Sequence, residues 1–213
     1  MSRWVSRKPD YHADITVALP SFVTRSCALL ATGYAELMHK SGGNIPSKNG
    51  LDISSFGSIM ANVALAAVRL DSSCVFRIAG EGIRERFAQK LVGINYYDLV
   101  DPARRSSAMH SMDMVVSTPS AFRVELLQQY ENGEEYHAEA CAFPLRSGEP
   151  GIDGFILFAD ADIGTARRPA MVQSALRKSL VVRRELIDLG FGVDRGFEDL
   201  VPRDMMMPAL FSP

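Results

Sequence analysis

The sequence predicts an α+β fold, and three observations carry that prediction. A β-rich run near residue 75 is followed by a group of short helical repeats; three strand-like runs then succeed one another between residues 121 and 159; and an Asn-Gly pair, Asn132-Gly133, sits at the tip between the first two of those runs. Helices grouped between strands, with an antiparallel meander after them, are the arrangement of an antiparallel sheet covered on one face. The composition, 47% hydrophobic and 23% charged over 213 residues, lies at the globular average and excludes wholesale disorder, collagen-like repeats and a coiled-coil rod.

Residues 1–20 mix charges with two prolines and few clustered apolar residues, and read as a mobile arm. Residues 21–43 form an N-terminal helix with its stop at Ser41-Gly42-Gly43. Within it Val23, Cys27, Leu30, Tyr34 and Leu37 are spaced 4, 3, 4, 3 along the chain, a seam that suits either the domain's own core or a second helix in a dimer. A connector rich in Gly, Asn, Ser and Pro covers residues 44–55. The apolar segment 59–70 fits a short helix or a buried strand equally well.

Residues 74–79 read as a strand closed by Gly80-Glu81-Gly82, a strand-to-helix turn. It lacks the third glycine of a dinucleotide fingerprint, since Glu85 stands there. Ile83, Phe87 and Leu91 recur every four residues on a helix that Gly93 breaks. Residues 96–100 form a short apolar turn, and Pro102 opens a helix carrying Met109, Met112 and Val116. Strands at 121–130 and 136–145 flank the Asn-Gly tip, a Gly/Pro loop covers 146–153, and a third strand covers 154–159. Pro169 is then expected to open a C-terminal helix, residues 165–190, ended by Gly190, with a loosely packed tail over 191–213.

Cys27, Cys74 and Cys141 are an odd set with no close pair, which argues against a disulfide framework or a zinc ribbon and for free thiols in a reducing cytoplasm. No stretch approaches the roughly 18 apolar residues of a membrane-spanning helix, and the first residues lack a secretory core. A net charge of −2 gives no global attraction to nucleic acid or acidic lipid. Between residues 165 and 189, however, Arg167, Arg168, Arg177, Lys178, Arg183 and Arg184 oppose only Glu185 and Asp188, a solvated helix face or a docking surface for an acidic protein partner.

The segment Gly93-Ile94-Asn95-Tyr96-Tyr97-Asp98-Leu99-Val100-Asp101-Pro102 resembles the turn that leads into the connecting helix of PAS sensor domains. The Asn132-Gly133 hairpin, Phe143-Pro144-Leu145 and a last strand entering Asp162-Ile163-Gly164 resemble the second half of the same fold, with Gly164 where the family usually has Thr. Ile45-Pro46, Leu51-Asp52-Ile53 and Phe76-Arg77-Ile78-Ala79-Gly80 resemble a bacterial subfamily of short, often stand-alone PAS proteins. The resemblance covers residues 44–164. It implies a PAS-like antiparallel five-stranded sheet with short helices on one face; the N- and C-terminal helices read from periodicity flank it and lie outside the resemblance. It also implies a sensory or regulatory role, and the lack of a catalytic residue set in the sequence makes that role a non-enzymatic one.

Such a fold binds at the concave face of its sheet. Along the strand from Tyr136, one parity carries Tyr136, Ala138, Ala140 and Ala142, and the other His137, Glu139, Cys141 and Phe143. If the alanine parity faces inward, Ala138 and Ala140 leave space that either a ligand or large opposing side chains such as Phe87 and Met109 fill. Arg77, Tyr97, His110 and Tyr136 are the polar groups expected to point at it.

His137 and Cys141 invite a nucleophile reading. They stand four residues apart on a strand where residues two apart are already separated by about 6.5 to 7 Å, which is too far for a hydrogen bond. An exposed polar face, or one covered by a terminal helix, is the expectation there. No catalytic set and no metal-ligand spacing emerges among His12, His39, His110 and His137. A haem-binding member of the family needs an axial ligand on its helices, and His110 is the one candidate, although helical histidines are more often solvated. The cofactor is left open.

The expected function is thus a cytoplasmic PAS-like regulator. It would read a small molecule or a partner protein at the concave face and signal through its flanking helices, as a homodimer through the N-terminal helix. The alternatives are a small α+β enzyme or carrier holding an apolar substrate, or a dimerisation scaffold.

Overall fold

A computed structural model describes residues 19–164 and 174–193. Helix α1 (Arg25–Lys40) is followed by two 3-10 turns, strands β1 (Val63–Arg69) and β2 (Ser73–Ala79), and helices α2 (Glu81–Phe87), α3 (Tyr96–Leu99) and α4 (Arg105–Ser117). Strands β3 (Ser120–Tyr130), β4 (Glu135–Arg146), β5 (Gly154–Asp162) and β6 (Leu176–Asp188) complete the fold. All six strands join one antiparallel sheet in the order β2-β1-β5-β4-β3-β6. Among the described residues no helix is long and apolar enough to cross a membrane.

The sheet is buried on both faces, and alternation assigns each side chain to one of them. Val63, Leu65 and Ala67 of β1, Cys141, Phe143 and Leu145 of β4, and Phe155 and Leu157 of β5 pack with α1. Ala64, Ala66 and Val68, Ala142, Ile156, and Phe122 and Val124 of β3 face α2, α3 and α4. Burial on both sides turns β1 into a nearly continuous apolar run, which is why residues 59–70 carry no readable period. The structure divides that segment between the end of a 3-10 turn (Ile53–Asn62) and β1.

The hairpin forms where Asn-Gly predicts it. Gly133 takes a φ of 85°, the left-handed conformation the turn requires, and Asn132 Oδ1 accepts from the Glu134 amide at 3.1 Å. At Gly80 the glycine has a packing reason instead: a Cβ there would collide with the backbone carbonyls of Met60 and Ala61.

Two expectations need correcting. The C-terminal helix over residues 165–190 is replaced, within the described part, by β6; the five-stranded sheet therefore has six strands, and residues 165–173 lie outside the described residues. Leu176, Leu180, Arg183 and Ile187 fit a helical repeat. Here β3 offers a long edge of unpaired N–H and C=O groups, however, and pairing from Ser120 with Asp188 to Tyr130 with Leu176 satisfies it. Tertiary pairing overrides a weak local preference, and Val181, Val182 and Ile187 are at home in a strand.

The seam on α1 is used within the domain: Cys27, Leu30 and Tyr34 are buried against the sheet, so its homodimer reading loses those residues. Of the two alternatives for the Glu139 and Cys141 face of β4, solvated or covered by a terminal helix, the structure has the second: α1 covers it and both residues are fully buried. The arm before residue 19 and the tail beyond residue 193 lie outside the described residues.

Candidate functional site

Between the sheet and α2 to α4 lies a cavity of about 200 Å³. Small side chains make the room. Ala64 on β1 and Ala140 on β4 line the floor, while Phe76 of β2, Ile83 and Phe87 of α2 and Met112 of α4 supply apolar walls. Tyr96 closes one side, its ring edge-on to Phe76 with centroids 6.3 Å apart. The short helix α3 that carries it is set by Asn95, whose side chain accepts from the Tyr97 amide at 3.3 Å and the Cys74 amide at 2.9 Å.

The polar part of the wall comes from β3, β5, β6 and the turn before α4. Gln128, Asp160, Arg184 and Arg104 all line it. Arg104 donates from Nη1 to the Ser179 carbonyl at 3.3 Å, which leans the turn against β6. Asp160 pairs with Arg86, a side chain 5% exposed whose Nη2 also lies 3.4 Å from Asp162. Burial would lower the Arg86 pKa, but Asp160 and Asp162 outweigh it and hold the group above its ordinary value. Burial and the nearby Arg104 push Arg184 down to about 10, against the opposing pull of Tyr96. Tyr96 itself is raised to about 12, mainly by burial.

Of the residues expected at a pocket, Phe87 and Ala140 lie on the cavity wall. The others do not. Arg77 is the extra residue of a bulge, since Phe76 pairs with Ala66 and Ile78 with Leu65, and its side chain is exposed. Tyr97 is buried in the apolar cluster behind the wall, its hydroxyl without a hydrogen-bond partner among the described residues.

Met109 packs against the same cluster and His110 is exposed, one step round α4 from the lining residues Ala108 and Ser111. Tyr136 sits at the hairpin end, edge-on to Tyr130 with centroids 5.7 Å apart and its hydroxyl 2.9 Å from Glu134 Oε2. Ala138 is buried between Leu126 and Asp162 in the sheet. Sequence reasoning missed Phe76, Tyr96, Gln128, Arg104 and Arg184. The alternation of Phe122, Val124, Leu126 and Gln128 on β3 would have found Gln128; Arg184 was hidden by the helical reading of its segment.

The opposite face of the same strands holds a buried ion pair. Arg123 Nε donates to Glu139 Oε1 at 2.5 Å, with side chains 4% and 0% exposed. The Glu139 carboxylate also accepts from the Val23 amide at 3.0 Å and from the Thr24 amide and hydroxyl, each at 2.7 Å, at the start of α1. Burial alone would raise the Glu139 carboxyl, but these donors outweigh it and hold it below the ordinary value. Cys141 is fully buried and its thiol is pushed well up by burial, while His137 is exposed. Among the described residues no group of three or more His, Cys, Asp or Glu is arranged to hold a metal ion.

An antiparallel sheet whose concave face is roofed by short helices over a small cavity defines a class of ligand-accommodating α+β domains. The chain matches the family described as PAS domain over residues 26–155, more than half its length, and belongs to that family.

No curated protein matches the sequence. Among solved structures it is similar to VqmA bound to DPO, at 20% identity and a TM-score of 0.38 over 53% of this chain and 56% of that one. It is also similar to the Vibrio cholerae VqmA dimer in the absence of target DNA, at 18% identity and a TM-score of 0.37 over 54% and 53%. The Rhodobacter sphaeroides LOV protein matches at 14% identity and a TM-score of 0.38 over 55% and 70%. The chain thus spans about half the length of the VqmA chains it resembles.

Proposed function

We propose that this protein is a non-enzymatic sensory or regulatory PAS protein that takes a small molecule into the cavity and passes the change to α1. One observation carries this reading: the strands that wall the cavity are the strands that grip the helix. Phe122 and Val124 line the cavity while Arg123 between them reaches Glu139, and Ala140 lines it while its neighbour Glu139 holds the start of α1. A ligand that prefers one spacing of β3 and β4 thereby prefers one seating of α1, and differential affinity for the two arrangements is what switching requires. The wall chemistry favours binding over turnover, because Asp160 is committed to Arg86 and the remaining charged groups there are mainly guanidinium.

Output through α1 has a surface to use. Val23, just before the helix, is 60% exposed and Leu29 on it is 37% exposed, so a homodimer or partner contact would form there rather than through the inward seam. Hydrogen exchange tests the coupling. Native mass spectrometry first identifies what co-purifies; removing that molecule is expected to speed exchange of the Val23 and Thr24 amides at least several-fold relative to Leu157 in the sheet. Equal exchange with and without it would end the proposal.

A further inference from the structure

The two edges of the sheet are finished differently. The outer side of β2 is occupied by the segment that leads into α3: the Phe76 amide donates to the Ile94 carbonyl at 3.0 Å, the Gly93 amide to the Phe76 carbonyl at 2.9 Å, and the Cys74 amide to Asn95 Oδ1 at 2.9 Å. At the other end of the strand order stands β6, and among the described residues no further strand pairs with it. Alternate residues of a last strand turn their N–H and C=O groups outward, so β6 offers a ladder that an extended chain can continue.

The side chains along that ladder choose among extended chains. On β3, Gln129, Leu127 and Glu125 alternate on one face, so their cross-strand partners Lys178, Leu180 and Arg183 share it. Arg177, Lys178 and Arg183 are exposed, and Arg104 brings a further positive charge where its Nη1 reaches the Ser179 carbonyl at 3.3 Å. The acidic groups on the strand are engaged: Glu185 lies 3.5 Å from Arg123 Nη1, and Asp188 Oδ1 accepts from the Gly190 and Gly192 amides. A second copy of β6 carries the same surplus of positive charge, which opposes self-pairing, whereas a strand carrying carboxylates is drawn to it. Bulges at Arg177 and Val182 bend the edge, so the regular run open to a partner is short and a brief linear segment fits it better than a long strand. We propose that the outer edge of β6 is a docking site for an extended acidic segment of another protein, which adds to the sheet as a further strand with an apolar side chain beside Leu180 and carboxylates beside Lys178 and Arg183.

The test uses the isotope-labelled full chain and three synthetic peptides with blocked ends. The acidic probe is Thr-Glu-Thr-Val-Thr-Glu-Thr; a second peptide carries lysine for glutamate, and a third keeps the acidic side chains but has every backbone amide N-methylated, so that it cannot donate to a ladder. The acidic probe is expected to shift the amides of Leu176–Asp188 and slow their hydrogen exchange, to bind about tenfold or more tightly than either control, and to weaken as salt is added. Replacing both exposed cations, Lys178→Glu with Arg183→Glu, is expected to turn the preference toward the lysine peptide. Lys178→Ala alone, with a several-fold loss for the acidic probe, gives the same reading should the double variant not fold, and the comparison of peptides on the unaltered chain needs no variant. Equal binding of the lysine peptide would overturn the acidic partner, and equal binding of the N-methylated one would overturn strand addition. Full protection of the β6 amides in the chain alone would show the edge already covered by the chain itself or by a second copy, and would overturn the proposal. So would shifts confined to residues outside β6, or no binding by any of the three peptides.

Discussion

The two faces of one sheet are built to opposite specifications. On the α1 face large side chains interlock: Tyr34 stacks on Phe143 with centroids 4.6 Å apart, its hydroxyl donates to the Pro144 carbonyl at 2.7 Å, and the buried Glu139 carboxylate accepts from Val23, Thr24 and Arg123. On the α2 to α4 face the strands present alanines, and the helices above them leave about 200 Å³ unfilled. Burial therefore stabilises the first face, while the second forgoes part of that stabilisation to keep space. A domain that needs both a cavity and a folded state has to concentrate its packing somewhere, and here that place is the side facing the N-terminal helix.

The comparison is broken most easily at Glu139. Replacing it with Ala leaves Arg123 buried without its partner and α1 without its anchor, and is expected to cost about 3–5 kcal/mol, read from the urea midpoint. A loss under about 1 kcal/mol would mean that the α1 face is no more committed than the other.

Acid probes the same contact. Because the folded carboxyl titrates below its ordinary value, its contribution to stability is complete above the unfolded pKa and is lost as pH falls through the folded one. No response from this group is expected between pH 7 and about pH 5; as pH falls below the ordinary carboxyl value, stability read from the urea midpoint is expected to decline, by at most about 1.4 kcal/mol per pH unit from this group, and Glu139→Gln should flatten that decline. An unchanged slope in that variant would assign the acid response to other carboxylates.

The smallest effect is expected across the sheet. Ala140→Leu projects into the cavity and should change stability by less than about 1 kcal/mol while abolishing binding of the molecule that co-purifies. A destabilisation of about 3 kcal/mol would show that this face is packed like the other.

Much of this was legible from residue order, and the reasons differ by element. The β3–β4 hairpin was readable because Asn132-Gly133 demands a turn and the flanking residues alternate. The same alternation grouped Ala138, Ala140 and Ala142 on one face of β4 but left open which face turns toward α2 to α4, because period-2 spacing carries no sign. Glu139 was left between a solvated face and one covered by a terminal helix, since the groups that hold it buried, Val23 and Thr24, lie more than a hundred residues away in sequence. Of the two adjacent tyrosines, Tyr96 and not Tyr97 reaches the cavity wall, a choice fixed by how α3 is capped and invisible to spacing alone. With β6, a strand partner that only the folded sheet supplies defeated a periodicity that fits two templates.

That last strand binds two properties into one inheritance. It shields the ladder of β3, and it carries Arg184 to the cavity, so a change that peels β6 away uncovers an adhesive edge at the same moment that it deletes part of the polar wall of the site. Lineages of this protein are therefore not free to drift in ligand chemistry by remodelling that segment without also answering for the solubility of the sheet.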